Sequence, residues 1–212
     1  MADRPLVIIG ARGHGKSVAE AALSLGLFIE CFIDEINEIA PEATWHGIPV
    51  RHSLEELTGV ETKTFALAIG DNHERESAFS RLSSDLSEDQ FPPIVHSSAS
   101  VSNSSRLGYG AHILQGAVVG ADAHVGKFAI VNTNASLDHD SHLADFSSLN
   151  PGAVVAGGVH IGERSTVGMN ASIAAGVYVG MNVTVGANSF VRTALPDGAM
   201  AYGIPASLHQ NE

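Results

Sequence analysis

The tripeptide Asp138-His139-Asp140 places a histidine between two carboxylates. An imidazole that titrates near neutral pH can take the proton from an amine or hydroxyl that attacks an acyl donor. A neighbouring carboxylate can orient such a ring and stabilise its cation, so Asp140 is the expected partner of His139. The tripeptide therefore predicts a general base. The alternative interpretation is a surface histidine in an acidic turn.

A second pattern with chemical potential is the turn at residues 10–17, GARGHGKS, which fits G-x-x-x-x-G-K-[ST]. Glycines let the backbone approach a phosphate, and the amino terminus of a following helix favours negative charge. A phosphate-loop NTPase is one interpretation, although the segment before the repeats is small for such a domain and no apparatus for phosphoryl transfer is apparent. A tight turn without a ligand is another.

Three further histidines, His124, His142 and His160, are spaced 18 residues apart. On a coil of that period they form a column, which Arg106 and Tyr178 continue. Histidine clusters can bind zinc, so a protein resembling the zinc carbonic anhydrases built on hexapeptide prisms is an alternative. Those enzymes use a close pair of ligands five residues apart, whereas His139 and His142 are three apart. We expect a solvated column and no metal.

The scaffold for these residues is indicated by a six-residue period. Every sixth residue from 95 to 191 is Val, Leu or Ile, and the residue four places later is often Ala or Ser. A hexapeptide period is typical of a parallel β-helix, in which three repeats make one coil. Helical heptads and simple strands have different periods. The sequence predicts a β-helix domain over residues 95–196 and a carboxyl-terminal tail over 197–212.

Residues 1–94 have a different pattern, in which apolar runs alternate with helical stretches. The runs cover residues 6–9, 28–33 and 65–69, and the helices cover 17–25 and a segment that follows Gly70 and extends to Leu86. This is the βαβ layout of a Rossmann-like α/β domain, with ligands expected at the carboxyl ends of the strands. Asp34 follows the second run, where an acidic side chain can hydrogen-bond a ribose hydroxyl.

Composition restricts the class of protein. A formal net charge of −12 at pH 7 disfavours nucleic-acid binding, which needs a basic surface. The first residues lack the features of a signal peptide, and no stretch is as long and apolar as a membrane span. The one cysteine, Cys31, cannot form an internal disulfide. We expect a cytoplasmic protein that binds neither nucleic acid nor membrane.

Several motifs resemble those of hexapeptide-repeat sugar acetyltransferases related to the bacillosamine-pathway and perosamine N-acetyltransferases and to sialic acid O-acetyltransferase. Residues 131–140, VNTNASLDHD, resemble their N-T-x-x-x-[IV]-[ED]-H-[ED] segment. The glycine turn, Asp34 and residues 70–72 resemble their amino-terminal domain, and residues 202–206, YGIPA, resemble their G-[VI]-P-A closure. The resemblance implies a left-handed β-helix with His139 as the general base.

The resemblance also implies roles for other residues. The nucleotide part of an activated sugar is expected to contact Gly13, His14, Gly15, Lys16, Asp34, Gly70, Asn72 and Arg75, and the sugar is expected to contact Asn132. Acetyl-CoA is expected to lie along Gly157, Met169 and Ala187, with Ser148 nearby. Two positions depart from the bacillosamine-pathway enzyme: Lys16, and Ser148, where that enzyme has a histidine.

The implied reaction moves an acetyl group directly from acetyl-CoA to an amine, expected at C4 of a nucleotide-linked dideoxy amino sugar. Prisms of this family assemble as homotrimers with active sites between subunits. One alternative is a sialic acid-type O-acetyltransferase, which would acetylate a hydroxyl. Loops such as residues 34–44 are expected to select the base of the nucleotide.

Overall fold

The computed structural model describes residues 4–35 and 43–209. The amino-terminal part consists of β1 (Leu6–Ile9), α1 (Gly13–Ser24), β2 (Ile29–Ile33), β3 (Thr44–Trp45), β4 (Ile48–Arg51), β5 (Thr64–Leu67) and α2 (Asn72–Leu82). Short 3-10 helices cover Leu54–Glu56, Val60–Thr62 and Glu88–Gln90. The strands form one sheet in the order β3-β4-β2-β1-β5, parallel except for β3.

Both faces of this sheet are covered, which is why its central strands are continuous apolar runs. On one face, Leu6 and Ile8 of β1 pack in a buried cluster with Val18 and Ala22 of α1. On the other face, Val7 lies in a cluster that includes Ala78 of α2. Alternate side chains of β1 thus pack against two different helices, one on each face of the sheet.

The predicted elements of this part are present with shifted ends. Helix α1 begins at Gly13 rather than at residue 17, because the second half of the glycine turn is already helical. The β3–β4 hairpin was not predicted. Its strands are too short for a period, but its turn residues His46 and Gly47 have φ values of 49° and 80°, which suit a tight hairpin turn. Residues 36–42 of the predicted base-selecting loop lie outside the described residues.

The remainder is a triangular prism of two-residue parallel strands. We call its faces C, D and E. Face C contains β6 (Ile94–Val95), β9 (His112–Ile113), β12 (Ile130–Val131), β15 (Ser148–Leu149), β18 (Thr166–Val167) and β21 (Thr184–Val185). Face D contains β7 (Ser100–Val101), β10 (Val118–Val119), β13 (Ser136–Leu137), β16 (Val154–Val155), β19 (Ser172–Ile173) and β22 (Phe190–Val191).

Face E contains β8 (Arg106–Leu107), β11 (His124–Val125), β14 (His142–Leu143), β17 (His160–Ile161) and β20 (Tyr178–Val179). A hairpin of β23 (Met200–Gly203) and β24 (Ala206–His209) extends face C. Neighbouring strands within each face pair in register, as His124 does with His142, so each coil is one 18-residue step. The periodic aliphatic residues fill the interior, where Val131, Leu137 and Leu143 have no exposed surface.

The prism turns its corners with residues in the left-handed backbone region. Asp, Asn and Gly occupy most of these positions, as expected for residues that tolerate positive φ. Phe128 and Phe146 are exceptions, with φ values of 53° and 56°. Their rings stack at 5.3 Å between centroids, and Phe79 of α2 lies 4.3 Å from Phe128. The amino-terminal domain therefore docks on this corner, and the contacts between these rings offset the backbone strain.

None of the helices within residues 4–35 and 43–209 is long and apolar enough to cross a membrane.

Candidate functional site

His139 lies on the corner between β13 and β14, that is, between faces D and E. Its carbonyl accepts a hydrogen bond from the Gly158 amide at 2.9 Å, and the Asp140 amide donates to the Ala121 carbonyl at 3.0 Å. Asp140 has φ 56°, a conformation that Asp tolerates. The coils above and below thus fix the backbone of His139 and of Asp140.

The imidazole of His139 is paired with the carboxylate that the sequence predicts. Nδ1 lies 2.8 Å from Oδ2 of Asp140, and the His139 side chain is 61% exposed. The hydrogen bond to Asp140 raises the pKa of His139, and the charge of Asp138 adds to the effect. Since the Asp140 carboxylate can only accept a hydrogen bond, Nδ1 of neutral His139 carries the N–H that donates to it, and Nε2 is left as the nitrogen that can take up a proton.

Gly157 lies directly against this ring, one coil further along. A Cβ at position 157 would fall 2.5 Å from both Cε1 and Nε2 of His139. No side chain fits there without displacing the imidazole. Because the two residues are one 18-residue coil apart, they stack on each other, and the space that the glycine provides is filled by the ring of His139.

The second predicted cluster surrounds the glycine turn after β1. A Cβ on Gly15 would lie 1.9 Å from the Gly10 carbonyl oxygen, so only glycine permits the turn to close. A Cβ built on Gly70, which follows β5, would lie 3.8 Å from the Cβ of His14. The turn and the β5 end thus lie side by side at the carboxyl edge of the sheet, where such sheets bind ligands, and we call this place the glycine-turn crevice. Gly13 and Lys16 lie exposed at the start of α1.

Asp34 and His14 lie at the same edge of the sheet. Asp34 follows β2 and is 9% exposed, with its amide donating to the Arg51 carbonyl at 2.9 Å. His14 turns its Nε2 toward the prism, where it lies 3.2 Å from Nδ1 of His112 on β9. Burial and the charge of Arg75 lower the pKa of His14 to about 4. Burial also holds the pKa of the fully buried His112 well below its usual range.

Arg75 and Asn72 occupy a different place from the one expected of ligand contacts. The Arg75 side chain has no exposed surface, and burial lowers its pKa to about 10, so it stays charged at neutral pH. Its guanidinium donates to the carbonyls of Phe128, Phe146, Ile69, Gly70 and Asp71, to Oδ1 of Asn72 and to Oγ of Ser148. The structure assigns Arg75 to the domain interface instead.

Asn72 and Ser148 belong to the same interface. The Asn72 amide donates to Oγ1 of Thr166 at 2.9 Å, and its Oδ1 accepts from Ser148 Oγ at 2.6 Å. Asn72 is 4% exposed and Ser148 is 3% exposed. Ser148 therefore lies beneath the amino-terminal domain, not in an open groove for acetyl-CoA, because face C is the face on which that domain docks.

Asn132, Met169 and Ala187 lie on the corner between faces C and D. Asn132 is half-buried, and its Oδ1 accepts from the Thr133 amide at 2.8 Å. Met169 is 54% exposed, and Ala187, one coil further on, is also exposed. His139 lies across face D from this corner. Within one chain, the predicted acetyl-CoA residues other than Gly157 are thus separated from the predicted base.

The column of His124, His142 and His160 is present on face E. Successive ring centroids are 4.6 and 5.0 Å apart, and Tyr178 continues the stack at 5.1 Å. The rings of His142 and His160 are stacked face to face and the His124 ring is tilted against His142, whereas a zinc site needs nitrogens that converge on one point. Within the described parts of the chain, no group of three His, Cys, Asp or Glu residues could hold a metal ion. The structure does not favour the zinc alternative.

His112 was not singled out from the sequence. A usable signal existed, since outward positions of face C carry the apolar residues Ile94 and Ile130 in the same register. Apolar residues at positions that should face solvent indicate a covered face. A histidine between them is therefore a candidate for a buried polar contact with whatever covers that face.

Two known protein families match separate parts of the chain. Residues 5–82 match the PglD N-terminal domain family, and residues 158–193 match the bacterial transferase hexapeptide (six repeats) family. No curated protein sequence matches the chain. The two family matches cover the glycine turn and part of the prism.

Solved structures match nearly the whole chain. The acetyltransferase domain of PglB from Neisseria gonorrhoeae FA1090, in complex with acetyl coenzyme A, is 34% identical with a TM-score of 0.88, covering 97% of this chain and 99% of that one. PerB from Caulobacter crescentus, in complex with CoA and GDP-perosamine, is 33% identical with a TM-score of 0.84, covering 99% of each chain.

WeeI from Acinetobacter baumannii AYE shares the fold at 23% identity, with a TM-score of 0.85 over 97% of this chain and 100% of that one. The predicted fold class, a Rossmann-like α/β domain followed by a left-handed parallel β-helix of hexapeptide repeats, is thereby confirmed.

Proposed function

This chain belongs to the hexapeptide-repeat sugar acetyltransferases that carry a PglD N-terminal domain, and we propose that it transfers acetyl from acetyl-CoA to an amino group of a nucleotide-linked sugar. The acceptor is the C4 amine of a dideoxy amino sugar. The related PerB was solved with CoA and GDP-perosamine, and the related PglB domain with acetyl-CoA. The single observation that carries the proposal is the His139–Asp140 pair on an exposed prism corner.

In the proposed reaction, the amine nitrogen attacks the thioester carbonyl and forms the new C–N bond. Nε2 of neutral His139 takes the proton that this nitrogen loses, while the Nδ1 proton is held by Asp140. The tetrahedral intermediate then collapses and the C–S bond breaks. The departing thiolate of CoA takes up the proton from His139, so the base is regenerated and the products are the amide and free CoA.

No acyl-enzyme enters this scheme. Cys31, the one cysteine, is buried in β2, and burial followed by the charge of Glu30 raises the pKa of its thiol to about 11. A thiol in that state supplies almost no thiolate at neutral pH. The acetyl group is therefore transferred directly to the sugar.

The proposed active site needs more than one copy of the chain. Met169 and Ala187 lie on one corner of the prism and His139 on the next, with face D between them. Face D carries partly exposed apolar residues, Val118, Val154 and Phe190. We propose a homotrimer in which acetyl-CoA, held along the Met169 corner of one subunit, reaches His139 of its neighbour.

The nucleotide end of the substrate is assigned to the crevice at the glycine turn. Gly13, His14, Gly15 and Gly70 line or border it, Lys16 adds a positive charge at its rim, and Asp34 lies at the end of the neighbouring strand. Backbone amides at the start of α1 favour the diphosphate. Asn132 is assigned to the sugar. A cytoplasmic location agrees with the single cysteine.

The test is release of CoA thiol from acetyl-CoA in the presence of UDP-, dTDP- and GDP-linked 4-amino sugars. We expect rapid release with at least one of them, and a product whose acetyl group resists mild alkali, as an amide does. Silence with every amino sugar would overturn the proposal. An alkali-labile product would instead indicate O-acetylation, the alternative that acetylates a hydroxyl.

A further inference from the structure

We infer that His112 is a positioning residue that fixes the tautomer of His14, so that His14 offers an Nδ1–H donor to an oxygen of the ligand in the glycine-turn crevice. The identity of that ligand as a nucleotide sugar rests on the proposed function, whereas the tautomer does not.

The two rings join the two domains at the candidate substrate crevice. His14 is in the first turn of α1, and a Cβ built on Gly70 would lie 3.8 Å from its Cβ. Its Nε2 lies 3.2 Å from Nδ1 of His112, and the ring centroids are 5.4 Å apart. The half-buried ring of His14 is thus held at one nitrogen by the prism, which leaves Nδ1 as the nitrogen for a ligand.

Both rings are neutral at physiological pH. His112 is fully buried, with Ile94 and Ile130 on the adjacent strands of the same register. The Arg75 cation lies close enough to disfavour a second positive charge on either ring. A neutral imidazole carries one N–H, so a single proton lies between Nε2 of His14 and Nδ1 of His112.

The two possible tautomers differ at Nε2 of His112, a buried atom without a hydrogen-bond partner among the described residues. If His14 donates, His112 carries its proton on Nε2, which buries an N–H with no acceptor. If His112 donates from Nδ1, its Nε2 is a bare lone pair. Buried N–H groups without an acceptor are rarer in proteins than buried acceptors without a donor. The positive charge of the nearby Arg75 guanidinium also favours a lone pair at this nitrogen over an N–H group. The second arrangement is therefore preferred.

In that arrangement His14 is protonated at Nδ1 and acts as a hydrogen-bond donor. The donor lies at the amino terminus of α1, a twelve-residue helix whose first amides also favour an anion. The matching ligand group is an oxygen acceptor, such as a phosphate or hydroxyl oxygen. An ammonium or amide N–H in the same place would meet two donors.

The direct test is nuclear magnetic resonance of the full-length protein labelled with ¹⁵N-histidine, using long-range ¹H–¹⁵N correlations that distinguish the two tautomers. His14→Asn and His112→Asn variants assign the two rings by the signals that disappear. We expect Nδ1 of His14 to be protonated and its Nε2 to be unprotonated. The opposite pattern, or a doubly protonated His14 at neutral pH, would overturn the inference.

The functional test compares His112→Asn with His112→Phe. The Asn amide nitrogen takes the place of Nδ1 and still donates, whereas Phe cannot. We expect His112→Phe to raise KM for the nucleotide sugar about tenfold and to leave KM for acetyl-CoA unchanged, with His112→Asn near the parent enzyme. Equal KM values in the two variants would contradict the inference.

The proposed function and the tautomer of His14 are tested by different results. If the parent enzyme acetylates no nucleotide sugar, the proposed function fails while the tautomer is still decided by the resonances of His14. If His112→Phe does not fold, as its circular dichroism would show, the tautomer measurement alone decides. If the enzyme is active and the tautomer is reversed, only the positioning role of His112 is lost.

Discussion

Gly157 lies directly against the imidazole of His139. A Cβ on this glycine would lie 2.5 Å from Nε2, the atom proposed to accept the substrate proton. One missing methyl group therefore defines the position of the base. Gly157 also has its carbonyl engaged by the Gly176 amide at 3.0 Å, so its backbone cannot shift to make room.

Gly157→Ala should displace the ring and leave the prism folded. Since a misplacement of about 1 Å can cost about a hundredfold in rate, we expect kcat to fall by about 10- to 100-fold. The measurement is kcat with saturating acetyl-CoA and sugar, with the melting temperature as a check on folding. Parent kcat in a folded Gly157→Ala protein would show that the ring does not need this position.

Asp140→Asn should lower the pKa of His139, because the hydrogen bond to Asp140 is the largest cause of its raised value. The base must be neutral to act, so the acidic limb of kcat/KM should move to lower pH. The plateau rate should fall about 10- to 100-fold as the ring loses its orienting carboxylate. The pH profile of kcat/KM measures both effects.

Asp138→Asn is the matched control for this change. Asp138 accepts a hydrogen bond from the His139 amide at 2.8 Å, and it raises the pKa of the ring only through its charge. We expect a smaller shift of the acidic limb and a nearly unchanged plateau. A larger effect from Asp138→Asn than from Asp140→Asn would reverse the assignment of the partner.

Arg75→Met should weaken the docking of the two domains. The variant removes the donor to the buried carbonyl of Phe128 and to the buried Oδ1 of Asn72, and each such loss costs about 1–3 kcal/mol. We expect Tm to fall by roughly 5–10 °C. Arg81→Met, in the exposed last turn of the same helix, is the control and should leave Tm within about 2 °C. Similar Tm values for both variants would contradict the structural role of Arg75.

A composite active site predicts complementation between two inactive variants. His139→Asn removes the base, and Ala187→Arg fills the corner proposed to hold acetyl-CoA. Coexpressed in equal amounts, they should assemble at random, so that about a quarter of the sites in the whole population, or one site in each mixed trimer, combine an intact base with an intact corner. Thiol release from the mixture, compared with each variant alone, tests this. No recovery in verified mixed assemblies would place the whole site within one chain.

The repeat made the prism and its main site predictable. Because a β-helix stacks residues at a constant interval, the distance along the chain from His139 to Gly157 converts directly into a contact. The turn at Gly10 and Gly15 was predictable for a similar reason, since local glycines control local backbone. Neither the contact of His139 with Gly157 nor the glycine turn depends on how the two domains meet.

The domain interface could not be predicted in the same way. Nothing in the period says which prism face the amino-terminal domain covers, and this choice decides the environments of Arg75, Asn72 and Ser148. All three have the polar side chains of ligand contacts, and all three are used to satisfy buried hydrogen bonds. Phe128 and Phe146 also occupy corner positions that the repeat alone would assign to small residues.

The central claim is that His139 is the general base for acetyl transfer to a nucleotide-linked amino sugar. Its most direct test is the initial rate of CoA release by His139→Asn, with the best amino sugar found for the parent enzyme. His160→Asn, in the stacked column of face E, is the control for loss of a histidine from the prism surface. We expect a loss of about 10²- to 10⁴-fold for His139→Asn and a near-parent rate for His160→Asn. A folded His139→Asn enzyme with the parent rate would contradict it.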